Sequence, residues 1–265
     1  MECKNCQSTL NGQQKFCSEC GEKITANRLT IKSILSLFLS QFLSYDNKFV
    51  KTVIDLTIKP DIVINNYING FRKKYVNVIG YLGLSLTIIG LQFFVLRRFF
   101  PELLKADNAF GSQMPQENLN VIDFQSLMDS FYEYQGLLTV LFIPIYALVS
   151  WTLYLNSKKY NLAEHFVINI YTNAHFFLFW FIVVILTIPF GINYNLFSQF
   201  AIIPMIGYMT LVFYKLYDFS IWNTLLRVVL YYFIAFIIMM VIMVIVGVLY
   251  GVYLAATGKI TPQTM

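Results

Sequence analysis

Apolar residues in this chain gather into long unbroken runs separated by short polar stretches. That pattern is neither the alternation of a half-buried strand nor the single stripe of a soluble helix. A helix needs roughly 20 mostly apolar residues to cross a hydrocarbon layer of about 30 Å. Five runs meet that length, at about Val76–Phe100, Leu137–Leu155, His165–Phe190, Phe197–Tyr217 and Leu225–Ala256. The last exceeds what a perpendicular helix needs, so it is expected to tilt or to project beyond the bilayer. Its Gly247 and Gly251, in a G-x-x-x-G spacing, would permit close helix contact.

Shorter patterns precede these runs. From Leu29 to Ser44, Ile31, Ile34, Leu35, Phe38 and Phe42 fall on one helical face, with Lys32, Ser33, Ser36, Ser40 and Gln41 largely on the other. Too short and too polar on one side to span, this stretch is expected to lie on the membrane surface. Pro60 and Gly70 then punctuate two more short helices. Arg72, Lys73 and Lys74 stand immediately before the first long run, as a cytoplasmic anchor does.

Composition agrees: 57% of residues are hydrophobic and 12% charged, against about 25% charged in soluble domains. The net charge of +5 reads as orientation and lipid contact, because the basic residues can share one side of the membrane. With the N-terminus inside, Lys158, Lys159, Lys215 and Arg227 also fall inside. Glu102, Asp107, Glu117, Asp123, Asp129 and Glu133, against Lys105, fall outside, and Arg97 and Arg98 are the exceptions. The expected protein is a multi-pass component of the cytoplasmic (inner) membrane, with its N-terminus cytoplasmic and its C-terminus exocytoplasmic. Within the outer segment, NLNVIDFQSLMDSFYEY is expected to form a surface helix. Tyr132, Tyr134, Trp151, Tyr154, Trp222, Tyr231 and Tyr232 near the run ends are expected to form an interfacial belt.

All four cysteines lie in the first twenty residues, as Cys3-x-x-Cys6 and Cys17-x-x-Cys20. Two such knuckles bring four thiolates to one ion, as in structural zinc sites. Zn²⁺ would then supply the folding energy of a module too short to bury a core. Two disulfides or redox pairs are the alternative. Lys4, Lys15, Lys23, Arg28 and Lys32 face Glu2, Glu19 and Glu22 in charge, and four thiolates around one zinc add about −2. The module is thus nearly neutral and lacks the basic patch that nucleic acid requires. Docking of a protein partner fits it better.

The expected class is therefore an all-α polytopic integral membrane protein with about five transmembrane helices and a four-cysteine zinc ribbon. The ribbon occupies 1–26, and amphipathic interfacial helices on the cytoplasmic side occupy 27–75. A transmembrane bundle occupies 76–265, with an acidic exocytoplasmic segment at about 101–134.

The cysteine knuckles, then Thr52, Leu56, Pro60, Tyr67, Gly70, Arg72 and Tyr75, and later the Glu164-His165 pair, follow a recognisable order. Together they resemble the bacterial membrane proteins of the domain of unknown function 3667 family. Members often carry a proline shortly after the Arg-x-x-Tyr, where this chain has Asn77-Val78. The resemblance implies the architecture and brings no activity with it.

The third run alone opens with ionisable and amide side chains. His165, Asn169 and Thr172 fall within about 60° on a helix, with Glu164, Asn173 and His175 flanking them. Polar groups at membrane depth usually face the bundle interior or a watery cavity. Glu164, His165, Asn169, Thr172 and His175 thus form either a polar pocket or a set of interface and helix-tying contacts. His165 and His175 stand roughly 15 Å apart along the axis, too far for one ion. The chain has no H-E-x-x-H, G-x-S-x-G or P-loop, so an enzyme is not the leading reading. The leading reading is a scaffold, sensor or assembly factor in the lipid bilayer, with the ribbon docking a protein. A small-solute transporter or channel, oligomeric and lined by the third run, comes second, and a membrane enzyme acting on lipid third.

Overall fold

A computed structural model describes residues 2, 3, 5–10, 14, 16–21, 30, 31, 48–104 and 124–256. The chain forms two compact units, Met1–Asn47 and Lys48–Met265. The surface helix expected over 29–44 lies outside the described residues, save Thr30 and Ile31. Among the described residues of the second unit every regular element is helical.

Helices α1 (Lys48–Ile58) and α2 (Pro60–Ile68) form a hairpin. Proline at the first position of α2 needs no helical N–H there, so it ends one helix and begins the next. Gly70, at φ +88°, closes α2, and the Phe71 N–H returns to Asn66 O at 2.8 Å. Helix α3 (Val78–Phe99) starts where the Asn77 side chain accepts from Gly80 N. Helices α4 (Phe124–Leu153) and α5 (Leu162–Thr187) follow, and α5 opens with a full capping box between Asn161 and Glu164. Short α6 (Tyr194–Gln199) leads to α7 (Ile202–Leu216), and α8 (Ile221–Ala256) ends the described chain.

Five segments are long and apolar enough to cross a membrane: Val78–Phe99, Glu133–Leu153, Leu162–Phe190, Leu196–Leu216 and Ile221–Leu249. These are the five runs legible in the sequence, with three differences. The expected outer surface helix is not separate, because α4 runs unbroken from Phe124 into the second span. The fourth run is two helices, α6 and α7, because Pro204 has no N–H and its ring excludes the helical bond to Phe200 four residues back. Three-residue-spaced bonds, Phe200 N to Phe197 O and Ala201 N to Ser198 O, tighten the joint. The belt is also partial: Trp222 and Tyr134 are exposed, whereas Tyr154 and Tyr231 are buried.

The helices do not begin at a common level. Tyr171 of α5 donates to Val76 O at 2.6 Å, so α3 starts beside Tyr171. The residues from Leu162 to Tyr171 therefore extend about 14 Å below that level. The lower ends of α4, α7 and α8 accompany them: Ser150 and Tyr217 bond His165, and Tyr231 bonds Asn169. Helix α8 is about 54 Å long, and this lower collar explains its length, since Ile221–Tyr231 lies below the start of α3. The hairpin packs here, burying Thr52, Leu56, Val63 and Ile64 against α5 and α7. From Met243 to Leu249, α8 is apolar and exposed around its circumference, and a Cβ at Gly247 would meet nothing within 4 Å.

An aromatic stack closes the collar. Tyr154 lies 4.4 Å from the Tyr217 ring and 4.8 Å from Phe213. The Arg227 guanidinium sits 5.2 Å over Tyr154 and donates to Leu153 O. Burial pushes the Tyr154 hydroxyl's pKa well above its ordinary value, and that hydroxyl has no hydrogen-bond partner among the described residues. Removing it leaves the stack intact and lifts a desolvation cost. Tyr154→Phe is therefore expected to be neutral or to stabilise by up to about 1 kcal/mol, measured by thermal unfolding in detergent. Marked destabilisation would reveal a partner for the hydroxyl.

Candidate metal centre and the polar core of the bundle

The first unit is built from two similar knuckles. Cys3 N donates to Ser8 O at 2.9 Å, and Gln7 N to Cys3 O at 2.8 Å. In the second, Gly21 N donates to Cys17 O at 2.9 Å. The residue after each knuckle's second cysteine is left-handed, Gln7 at φ 60° and Gly21 at φ 72°. An antiparallel bridge pairs Glu2 with Thr9, and Leu10 packs with Cys3 and Cys17.

The four Sγ atoms all lie within 4.8 Å of one another, close enough to hold a metal ion. Cys3–Cys20 and Cys6–Cys17 are each 3.6 Å apart. A disulfide is about 2.05 Å long, and none of the four cysteines is in one. A tetrahedral ion at about 2.3 Å from each sulfur has S–S edges of about 3.8 Å, so the donor set fits one ion. The Ser8 hydroxyl, 3.2 Å from Cys17 Sγ, holds that thiol down to about 6, with the Cys20 backbone contributing. Ser8 likewise lowers Cys6, which favours the thiolates that bind metal.

In the bundle, the polar side chains of α5 bond one another and the helices around them. Asn169 Nδ2 donates to Ser150 Oγ and to His165 O, each at 2.8 Å, and Asn169 Oδ1 accepts from Tyr231 at 2.9 Å. Ser150 donates to Ala147 O. His165 Nδ1 therefore donates to Ser150 Oγ at 2.9 Å, and Nε2 accepts from the Tyr217 hydroxyl at 2.9 Å. One level higher, Thr57 donates to Val53 O, so His175 Nε2 donates to Thr57 Oγ1 at 3.0 Å. Its Nδ1 accepts from Tyr81 at 2.8 Å, and the Tyr208 ring packs 5.2 Å away.

These positions sort the residues singled out in the sequence. His165, Asn169, Thr172 and His175 are buried, and Thr172 returns its hydroxyl to Ile168 O at 2.7 Å. Glu164 does not join them: its carboxylate accepts from Asn161 N at 2.7 Å and caps α5. Arg72 lies exposed over the Tyr67 ring at 5.1 Å, and Lys74 over Tyr75 at 5.0 Å. Sequence reasoning missed the partners Ser150, Tyr217, Tyr231, Tyr81 and Thr57. Position gave no signal for Tyr217 and Tyr231, which stand at or near run ends where an aromatic belt would also put them.

Two stability experiments follow. A left-handed conformation costs a non-glycine residue about 1–2 kcal/mol, so Gln7→Gly is expected to strengthen metal retention by the first knuckle, read by competition with a chelator. Unchanged retention would mean the strain is absent. His175→Leu leaves the buried Tyr81 hydroxyl unpaired, at about 1–3 kcal/mol. Adding Tyr81→Phe is expected to restore most of that loss in thermal unfolding, and simple additivity would sink the coupling.

No curated protein and no solved structure matches the chain. Over residues 46–90, from just before α1 to the middle of α3, it matches the model of the family described as Protein of unknown function (DUF3667), the family its sequence resembles.

Proposed function

We propose that this protein is a scaffold, sensor or assembly factor of the cytoplasmic membrane, whose N-terminal module holds a structural Zn²⁺ and docks a protein partner. The observation that carries this reading is the closure of the polar core. Each imidazole accepts one hydrogen bond from a hydroxyl and donates one of its own, and both N–H groups and the oxygen of the Asn169 amide are bonded. A solute path along α5 would need polar groups not already bonded to each other.

The cysteine module, in contrast, presents side chains outward. Phe16, beside Cys17, is 57% exposed, and Cys6 and Cys20 lie at the surface. Cys3, Cys6, Cys17 and Cys20 would fill all four positions of a zinc ion, leaving none for a substrate. The metal supplies a fold and a rigid surface for a partner. Arg72, Lys73 and Lys74 before α3 support a cytoplasmic N-terminus, and five crossings would place the far end of α8 outside.

Purified protein is expected to carry one zinc per chain by elemental analysis. Replacing all four cysteines with serine should remove it while membrane insertion is retained. In cells, the same variant and Phe16→Ala should lose a partner that crosslinks to the wild-type module. Zinc-free protein would remove the metal from the account, and a partner retained by the serine variant would remove the docking role.

A further inference from the structure

The α1–α2 hairpin has a face that the bundle does not use. At about 100° per residue, the surface of α1 divides into three sectors. Thr52 and Leu56, with half-buried Phe49 and Val53, face the bundle. The next sector is apolar and open: Ile54 is 49% and Ile58 56% exposed, and Ile62 of α2 is 40% exposed. The third carries exposed Lys48 and Lys51 beside half-buried Asp55. A helix between two environments needs two sectors, and one meeting protein, hydrocarbon and water needs three.

The hairpin lies where those three meet. Thr52 Oγ1 accepts from Val76 N at 3.0 Å, so the middle of α1 sits beside the residue that enters α3. The 22 residues of α3 rise about 33 Å, the thickness of the hydrocarbon layer. Its first turn therefore marks the hydrocarbon boundary, and α1 lies at that boundary. Charge at this level is one-sided. Lys48, Lys51, Lys59 and the Arg72–Lys74 run are all exposed, and Lys215 donates to Ile58 O from α7. The hairpin's only carboxylates are Asp55 and Asp61, and Asp55 is held by the Tyr75 hydroxyl at 2.8 Å.

We propose that the α1–α2 hairpin is a lipid-binding element that seats Ile54, Ile58 and Ile62 among acyl chains and holds anionic phospholipid headgroups with Lys48, Lys51, Lys59 and the Arg72–Lys74 run. Clustered basic residues at a membrane surface select anionic lipid, and the adjoining isoleucines keep the cluster at headgroup depth. The hairpin thereby ties the packing of α5 and α7 to the lipid composition of one leaflet. This role is independent of what the cysteine module docks.

The test uses the full-length protein. A photoreactive benzoylphenylalanine placed at Ile54, Ile58 or, as a control at an exposed residue outside the proposed lipid contacts, Asn69 is irradiated in native membranes, and adducts are identified by mass spectrometry. Phospholipid adducts are expected at Ile54 and Ile58, several-fold above Asn69. Separately, Lys48, Lys51, Lys59, Arg72, Lys73 and Lys74 are changed together to glutamine, and monodispersity and thermal unfolding confirm folding. In vesicles of phosphatidylglycerol and phosphatidylethanolamine, the phosphatidylglycerol share of lipid copurifying with this variant is expected to fall several-fold. Protein adducts in place of lipid at the isoleucines, which would mark a protein-docking face, or an unchanged phosphatidylglycerol share, would overturn the proposal.

Discussion

A polar side chain buried in an apolar bundle must find a partner there, because no water is present to take its place. In this protein that constraint falls on α5, which carries two imidazoles and two asparagine amides into the core. Each needs a donor or acceptor from a neighbour at one particular height. Ser150 on α4, Tyr217 beyond α7 and Tyr231 on α8 meet the lower group, and Tyr81 on α3 with Thr57 on α1 meets the upper. Apolar packing alone tolerates sliding of one helix along another. These bonds do not, so they set the register of the bundle.

That register has consequences for the membrane. Helix α3 begins beside Tyr171, and α5 and α8 continue below it. The collar so formed shelters His165 and Asn169 beneath the level at which α3 enters the hydrocarbon, while His175 lies above it. The residues that carry the family resemblance also dock here. Thr52 and Leu56 are fully buried, Tyr75 binds Asp55, Gly70 takes the left-handed turn, and Arg72 stacks on Tyr67. The segment that matches the family model is thus the hairpin and the helix whose entry it braces.

The cysteine module obeys a different economy of scale. Among its described residues only Leu10 and two cysteines are buried together, too little apolar area to hold the module. Four converging thiols replace a core, and Ser8 supports two of them with one hydroxyl.

By itself the sequence determined the helical class, the five spans, the short helices divided at Pro60, and the cysteine cluster. These depend on local quantities: the length of an apolar run, the missing N–H of proline, and the spacing of four thiols. Even the division of the fourth span had a local sign in Pro204. Tertiary structure alone decided which polar residues belong together. Glu164 and His165 are neighbours in sequence, yet one caps a helix and the other is buried between Ser150 and Tyr217. Tyr154 and Tyr231 have the positions of belt residues, but the collar below α3 places them inside. Burial of this kind depends on the relative heights of helices far apart in the chain, and a one-dimensional pattern of polarity contains no measure of height.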